Sequence, residues 1–503
     1  MSRALELLRA AVTALREQFA AMTGQSARTI LLGTILLASA ISGATGFVLT
    51  QYFSVDVLSS ILYPPQDCWL GLPTNIGRHC FNDYTVVIAG GMRPNPWDPF
   101  VFSHDAPALP GIRYPPAGMV PQLAFGLLGK WLGAPRLGLL GYLLVLSIAV
   151  LTPAVWAGRG ARGLERIVVF VACGAVAVPA WFAVDRGNSV GFVVPIALVF
   201  LVALCRQRWG LVTIMVVLAA LVKPQFAVLG VALLAGRQWR LTGAVVIGGV
   251  VTNLAAYLLW PRDFPQTIVQ SAHNLSGGDA DAVFALNNVS IPRLLLVIPD
   301  LIAMLNSGGK LPAGFLAGPS MVIGRAILAL VAVSLLALGR RIPPVMAGIV
   351  LLATASLSIP VSYPYYLVFA LPIAALVVRD PDGPPGSGIF DRLAIAGGRR
   401  RAVGIWVSLA AALSIAAPIA LPIMVDFIPI GGEPGVIGLI DKTPVVPTSA
   451  TLNPPLLWLI ACAAIIVSYA RRPVPGALTD DSTTSVSDHG QPSHAAASQR
   501  DSD

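Results

Sequence analysis

The chain has 503 residues, 56% of them apolar and only 11% charged, with a mean hydropathy of +0.76 and a formal net charge of +9. Soluble domains carry about 25% charged residues, so a chain this long and this poor in charge cannot cover itself with polar surface. A cytosolic enzyme, a disordered chain and a small secreted disulfide scaffold are excluded, and an all-α polytopic membrane protein is expected.

Residues 1–28 place Leu5, Leu8, Val12, Leu15 and Phe19 at helical spacing, with Arg3, Glu6, Arg9 and Arg16 elsewhere. This is the pattern of an amphipathic helix lying at a membrane interface, and equally of an ordinary solvated helix with one apolar face. Residues 29–472 form the expected transmembrane domain. A helix needs about 20 mostly apolar residues to cross the hydrocarbon core. The stretch 29–49 meets this without a charge and reads as an uncleaved signal anchor. Further apolar runs fall near 137–157, 167–183, 189–205, 241–259, 319–339, 343–361, 363–378, 403–424 and 452–470. Two shorter runs, 209–221 and 225–235, flank Lys223-Pro224. Each is about 20 Å long, too short to span upright, which suggests a broken or shallow helix pair with the lysine reaching water. The expected total is roughly 10–13 spans. Residues 473–503, rich in Ser, Asp, His and Gln and without apolar periodicity, are expected to be a disordered tail.

Arginines mark the orientation. They cluster before the first span, at Arg159/Arg162/Arg166, Arg206/Arg208, Arg237/Arg240 and Arg340/Arg341, from Arg379 to Arg401, and at Arg471/Arg472. Alternating spans put all of them on one side, so the positive-inside rule predicts a plasma-membrane protein with both termini cytoplasmic. The basic balance is thus a topology signal, and nucleic acid is not an expected partner. The loops 50–136, 260–318 and 425–451 then lie outside.

The loop 50–136 is long for a connection, and long ordered loops are usually functional. It carries Asp56, Asp67, Asp83, Asp98 and Asp105 with Arg78, Arg93, Arg113, His79 and His104, stiffened by Asn95-Pro96-Trp97-Asp98-Pro99 and Tyr114-Pro115-Pro116. Asp83-Tyr84 opens a short apolar run that suits a helix, where an aspartate is often no more than a cap. Cys68 and Cys80 share this loop. An oxidising compartment would let them close a 13-residue loop, worth about 3 kcal/mol in the chain-entropy model. No second histidine joins His79 at ligand spacing, so no metal site is expected. Cys173, Cys205 and Cys462 fall in spans, as packing residues.

Three more polar spots lie at the outer membrane boundary: Asp185-Arg186-Gly187-Asn188, Lys223-Pro224-Gln225 and Asn287-Asn288-Val289-Ser290. Ionisable groups at such depth default to functional hypotheses. Each also has a bland reading: a turn pair for Asp185 and Arg186, snorkelling for Lys223, backbone capping for the asparagines.

Taken in order, Asp83-Tyr84, Asn95-Pro96-Trp97-Asp98-Pro99 and Tyr114-Pro115-Pro116 resemble the first extracytoplasmic loop of actinobacterial GT-C glycosyltransferases of family 87. The resemblance continues through Arg186-Gly187-Asn188, the Lys223-Pro224 break, Arg237-Gln238-Trp239-Arg240 and Asn287/Asn288, and covers about residues 30–380. It implies a GT-C helical bundle with an outward-facing active site, and a sugar carried on a polyprenyl phosphate. It implies that Asp83, by motif position, is the catalytic base. An inverting transfer needs one carboxylate to take the acceptor proton and cationic groups for the departing phosphate. Arg186 and Lys223 are candidates for the phosphate. Asn188, Arg113, Tyr114, His104 and Asp98 are candidates for donor binding. A divalent metal is compatible with this chemistry and not required by it, and no other cofactor is expected. Some mannosyl members carry histidine beside aspartate and tryptophan late in the chain. Here the comparable stretch is Ser362-Tyr363-Pro364-Tyr365-Tyr366, closer to the arabinofuranosyl members. The favoured expectation is therefore a decaprenyl-phosphoryl-arabinose donor with a cell-envelope glycolipid or polysaccharide acceptor. The alternative is a polyprenyl-phosphate-mannose dependent enzyme. A transporter or lipid flippase is the alternative of another class; it would call for polar residues at mid-span and related halves, and the spans here are nearly free of charge.

Overall fold

A computed structural model describes residues 24–62, 81–99, 111–276, 287–306, 317–397, 400–422, 426–429 and 442–471. The N-terminal segment to residue 23, Cys68, Cys80, His104 and the tail 473–503 lie outside the described residues.

The fold is helical, with one two-stranded antiparallel ribbon that pairs Asp426–Pro429 with Lys442–Val445. Among the described residues, five helices are long and apolar enough to cross a membrane: Ala27–Phe53, Pro135–Gly158, Trp239–Tyr257, Gly318–Arg341 and Ser449–Arg471. A sixth crossing is available if Leu164–Ala175 and Val178–Arg186, bent by 43°, count as one. The other expected spans are shorter apolar helices of 10–17 residues, including Ser189–Cys205, Trp209–Val222, Pro344–Leu357, Pro364–Val378 and Arg401–Ile415. The sequence count of roughly 10–13 full spans is therefore not reproduced by long helices. Prolines explain much of the shortening: Pro179, Pro224, Pro344 and Pro364 each sit in the first turn of a new helix, where a missing N–H costs nothing.

Packing places some short helices at the centre and leaves some long ones largely exposed. Pro344–Leu357 and Ala370–Val378 are buried along almost their whole length. Trp239–Tyr257 buries only 6% of its most apolar window and turns Val246, Ile247, Val250 and Val251 outward. An apolar exterior of this kind suits hydrocarbon rather than water.

Helix direction separates two ends. Leu164–Ala175 and Val178–Arg186 start near Arg162 and finish at Arg186; Val193–Cys205 returns to Arg206; Trp209–Val222 goes back to Lys223. Arg186 and Lys223 thus share one end, and Arg162 and Arg206 the other. At the latter end Arg28 pairs with Glu165 at 2.7 Å and donates to the Gly386 carbonyl at 2.6 Å. Arg206 pairs with Asp382 at 2.8 Å, and Arg392 with Asp380 at 3.1 Å. Arg379 lies over the Trp156 ring and donates to its carbonyl.

Candidate functional site

Asp83 lies in the first turn of the helix Asn82–Gly91. The cap position belongs to Phe81, which has φ 52° and makes no side-chain capping bond. Asp83 does not cap the backbone. Its carboxylate accepts three side-chain bonds: from Arg186 Nε to Oδ2 at 3.3 Å, from Arg186 Nη2 to Oδ1 at 3.4 Å, and from Asn188 Nδ2 to Oδ2 at 2.8 Å. A carboxylate offers about four lone-pair sites, so roughly one remains, on Oδ1. The side chain is 16% exposed, enough for a ligand to reach that site.

The turn after Val178–Arg186 makes this geometry. Gly187 adopts φ +60°, the left-handed conformation that ends helices, and a Cβ there would lie 2.7 Å from the Tyr84 Cβ. Only glycine lets the turn lie against the Asp83 helix. The buried Tyr142 hydroxyl donates to the Gly187 carbonyl at 2.9 Å and fixes the turn. Asn188 then caps the next helical turn, its Oδ1 accepting from Val190 N at 2.9 Å, which aims its amide nitrogen at Asp83. One side chain thus caps the turn and also holds the Asp83 carboxylate. Arg186 is shared with Asp83, 103 residues away, rather than serving only its own turn.

Tyr114 closes the next side. Its hydroxyl oxygen accepts from Asn188 Nδ2 at 3.1 Å, leaving its own proton available. Burial, reinforced by the Asp83 charge, pushes this phenol well above its usual range, so it stays a neutral donor. Lys223 sits at the break after Trp209–Val222, with Nζ 3.9 Å from the Tyr114 ring centroid and 5.9 Å from that of Tyr366. It is 8% exposed, so it does not snorkel to water as the sequence suggests. Its ammonium makes no hydrogen bond or ion pair with any described residue; cation–π contact and the nearby Asp83 charge hold it. Tyr363, Tyr365 and Tyr366 stack in series, with centroids 5.5 and 5.0 Å apart, and the last two lie within electrostatic reach of Asp83.

The other sequence candidates go elsewhere. Asp98 does not join the Asp83 cluster: Gln270 Nε2 donates to its Oδ1 at 3.0 Å. That bond belongs to a clamp absent from the sequence reading. Asn95 donates to Gln270 Oε1 at 2.9 Å and Asp263 Oδ2 at 3.2 Å, and Asn274 to the Trp97 carbonyl at 2.9 Å. Trp260 donates to the Gly91 carbonyl at the far end of the Asp83 helix, at 2.8 Å. Trp97 donates to the Tyr114 carbonyl at 3.3 Å. Trp260 thereby ties down the Asp83 helix, and the helix Gln266–Ser276 holds the segment 95–98, whose Trp97 reaches Tyr114. The run of amides on one face of Gln266–Ser276, Gln270 and Asn274, was the available signal. Arg113 is exposed beside Tyr114. Asn288 is fully buried and sutures its segment to the tyrosine stretch, donating to the Pro360 carbonyl at 2.9 Å and accepting from Ser362 N at 3.0 Å. Among the described residues no three His, Cys, Asp or Glu side chains gather as a metal site.

No protein-family model matches the chain, and no curated protein matches it.

Proposed function

We propose that the chain is a membrane glycosyltransferase of the GT-C type that transfers a sugar from a polyprenyl-phosphate donor to an envelope glycolipid or polysaccharide. The observation that supports this reading most directly is Lys223. A buried ammonium is costly, and among the described residues no carboxylate forms an ion pair with Lys223, the Asp83 charge acting on it only through space; such a group is retained where a ligand supplies the charge. Here it lies beside a carboxylate already oriented by Arg186 and Asn188.

In this reading Asp83 Oδ1 takes the proton of the acceptor hydroxyl. The hydroxyl oxygen forms its bond to the anomeric carbon as the bond from that carbon to the phosphate oxygen breaks. The electron pair leaves with the phosphate, whose charge Lys223 absorbs while Tyr114 donates a hydrogen bond. The leaving group is already a stable anion, so no second carboxylic acid is required to protonate it, unlike glycoside hydrolysis. The stacked tyrosines offer apolar faces and hydroxyls to a sugar ring, and arabinofuranose is the favoured sugar, with mannose as the alternative.

The test is transfer by the purified full chain, offered decaprenyl-phosphoryl-arabinose and polyprenyl-phosphoryl-mannose separately, with mass detection of product. Transfer by the wild type and its loss in Asp83→Asn are expected. Vesicles that take up or flip the donor without forming a glycosidic bond would favour a transporter and end this reading.

A further inference from the structure

The arginine-rich end of the bundle holds a cavity. It has a volume of about 280 Å³ and is framed by the first residues of Ala27–Phe53 and Arg401–Ile415, the helix Ile389–Gly397 and the last turn of Asn453–Arg471. Its polar wall carries Ser26, Arg400 and Arg401; its apolar wall carries Phe390, Val403 and Ile405. The Arg400 guanidinium is stacked 3.6 Å from the Tyr469 ring centroid, which orients it. Arg401 is exposed and donates to the Gln25 carbonyl at 3.4 Å at the rim. Asp391 is the one acid in the lining, and its Oδ2 is taken by Gly388 N at 2.8 Å. With two arginines to one aspartate, the described lining is net cationic. Two parallel helices also open onto it with their N-termini, and the cap residue of the second, Arg400, makes no side-chain capping bond.

We infer that this cavity binds the phosphate and glycerol of an anionic phospholipid from the leaflet at the arginine-rich end. The ligand must be negative at one end and apolar at the other, because the walls are divided that way. Depth supports a lipid over a soluble anion: Ala27 and Arg401 are the first residues of apolar helices, so the cavity opens where hydrocarbon begins. Two guanidiniums, one of them pre-oriented by an aromatic face, match phosphate oxygens better than choline or ethanolamine alone would require. Basic side chains at that level also draw anionic lipid from the leaflet. This site is independent of the glycosyltransferase reading.

The experiment uses the full chain, delipidated in neutral detergent, and native mass spectrometry with phosphatidylglycerol or phosphatidylcholine added. One phosphatidylglycerol retained in preference to phosphatidylcholine is expected. Arg400→Gln/Arg401→Gln should lower its apparent affinity about tenfold or more. Arg401→Gln alone changes an exposed side chain that the fold does not need, and should lose affinity severalfold. Arg340→Gln/Arg341→Gln, an exposed pair removing the same charge, should leave retention unchanged. Equal losses from both pairs would show diffuse surface charge and overturn the site. So would equal retention of the two lipids, or displacement of the lipid by inorganic phosphate alone. A rise in retention on deleting 473–503, which holds five aspartates and one arginine, would make that segment the native occupant and overturn it too.

Discussion

At the arginine-rich end the cations of the ion-pair network are answered from within: Arg28 by Glu165, Arg206 by Asp382, Arg392 by Asp380 and Asp382. At the Asp83 end one anion is paired with Arg186, and a second cation, Lys223, forms no ion pair among the described residues and rests on aromatic rings within reach of the same carboxylate. The first arrangement binds loops together. Gly386 N bonds to the Gly160 carbonyl beside the Arg28–Glu165 pair, so the connection after Ala370–Val378 is strapped to the one after Pro135–Gly158. Among the described residues the second arrangement holds two cations to one carboxylate at Asp83, Arg186 and Lys223 within a stiff frame, as a site does when its ligand is anionic. The contrast between a closed charge balance and an open one is the strongest functional sign in the molecule.

The largest effect that would test this contrast is at Asp83. Asp83→Asn keeps shape and most hydrogen bonding, so transfer should fall by about 10²–10⁴ while insertion and helicity hold. Full activity in that variant would reduce the Asp83–Arg186 pair to architecture. Lys223→Met comes next, with transfer down about 10²-fold, the scale of losing one group that meets developing charge. Its melting temperature should stay level or rise, because a buried ammonium with no ion pair among the described residues is removed. A clear fall in melting temperature with activity intact would make Lys223 a packing residue. Gly187→Ala forces a side chain into a left-handed turn and against Tyr84, and should cost about 1–3 kcal/mol in thermal or denaturant unfolding. The smallest effect belongs to the other end. Arg206→Ala breaks a pair whose partners are more than one-third exposed, so stability should shift by at most about 1 kcal/mol and transfer should not change.

Sequence reasoning singled out the clustered residues better than their partners. Arg186, Asn188 and Lys223 stand out as polar groups at boundaries of apolar segments, Asp83 and Tyr114 stand out through the loop motifs that carry the resemblance, and the five converge. Burial of polar groups is costly, so each is visible one at a time. Partner choice is not visible that way. Arg186 sits next to Asp185 in the chain yet forks onto Asp83, because the glycine turn brings the Asp83 helix alongside. Asp98 was grouped with the site by loop membership, but it answers Gln270 in the clamp. The clamp itself depends on pairing residues 95 and 270, which no local periodicity reports. The spans were over-counted in length for a related reason: apolar runs register composition, whereas the prolines inside them decide where one helix stops and another starts. The ribbon of Asp426–Pro429 with Lys442–Val445 was missed because each strand is only four residues long.

The long reach of the Asp83–Arg186 pair bears on how the chain is made. The site draws on residue 83, then 114, 186 to 188, 223 and finally the tyrosines at 363 to 366. Synthesis delivers these in order, so Asp83 emerges long before its guanidinium, and the last wall arrives only when most of the chain exists. Contacts of such separation form late and slowly. A nascent chain stalled before Arg186 would hold a carboxylate with nothing to orient it. One stalled between Lys223 and Tyr363 would already carry the oriented carboxylate but lack its aromatic wall. The cluster is therefore completed abruptly, near the end of insertion.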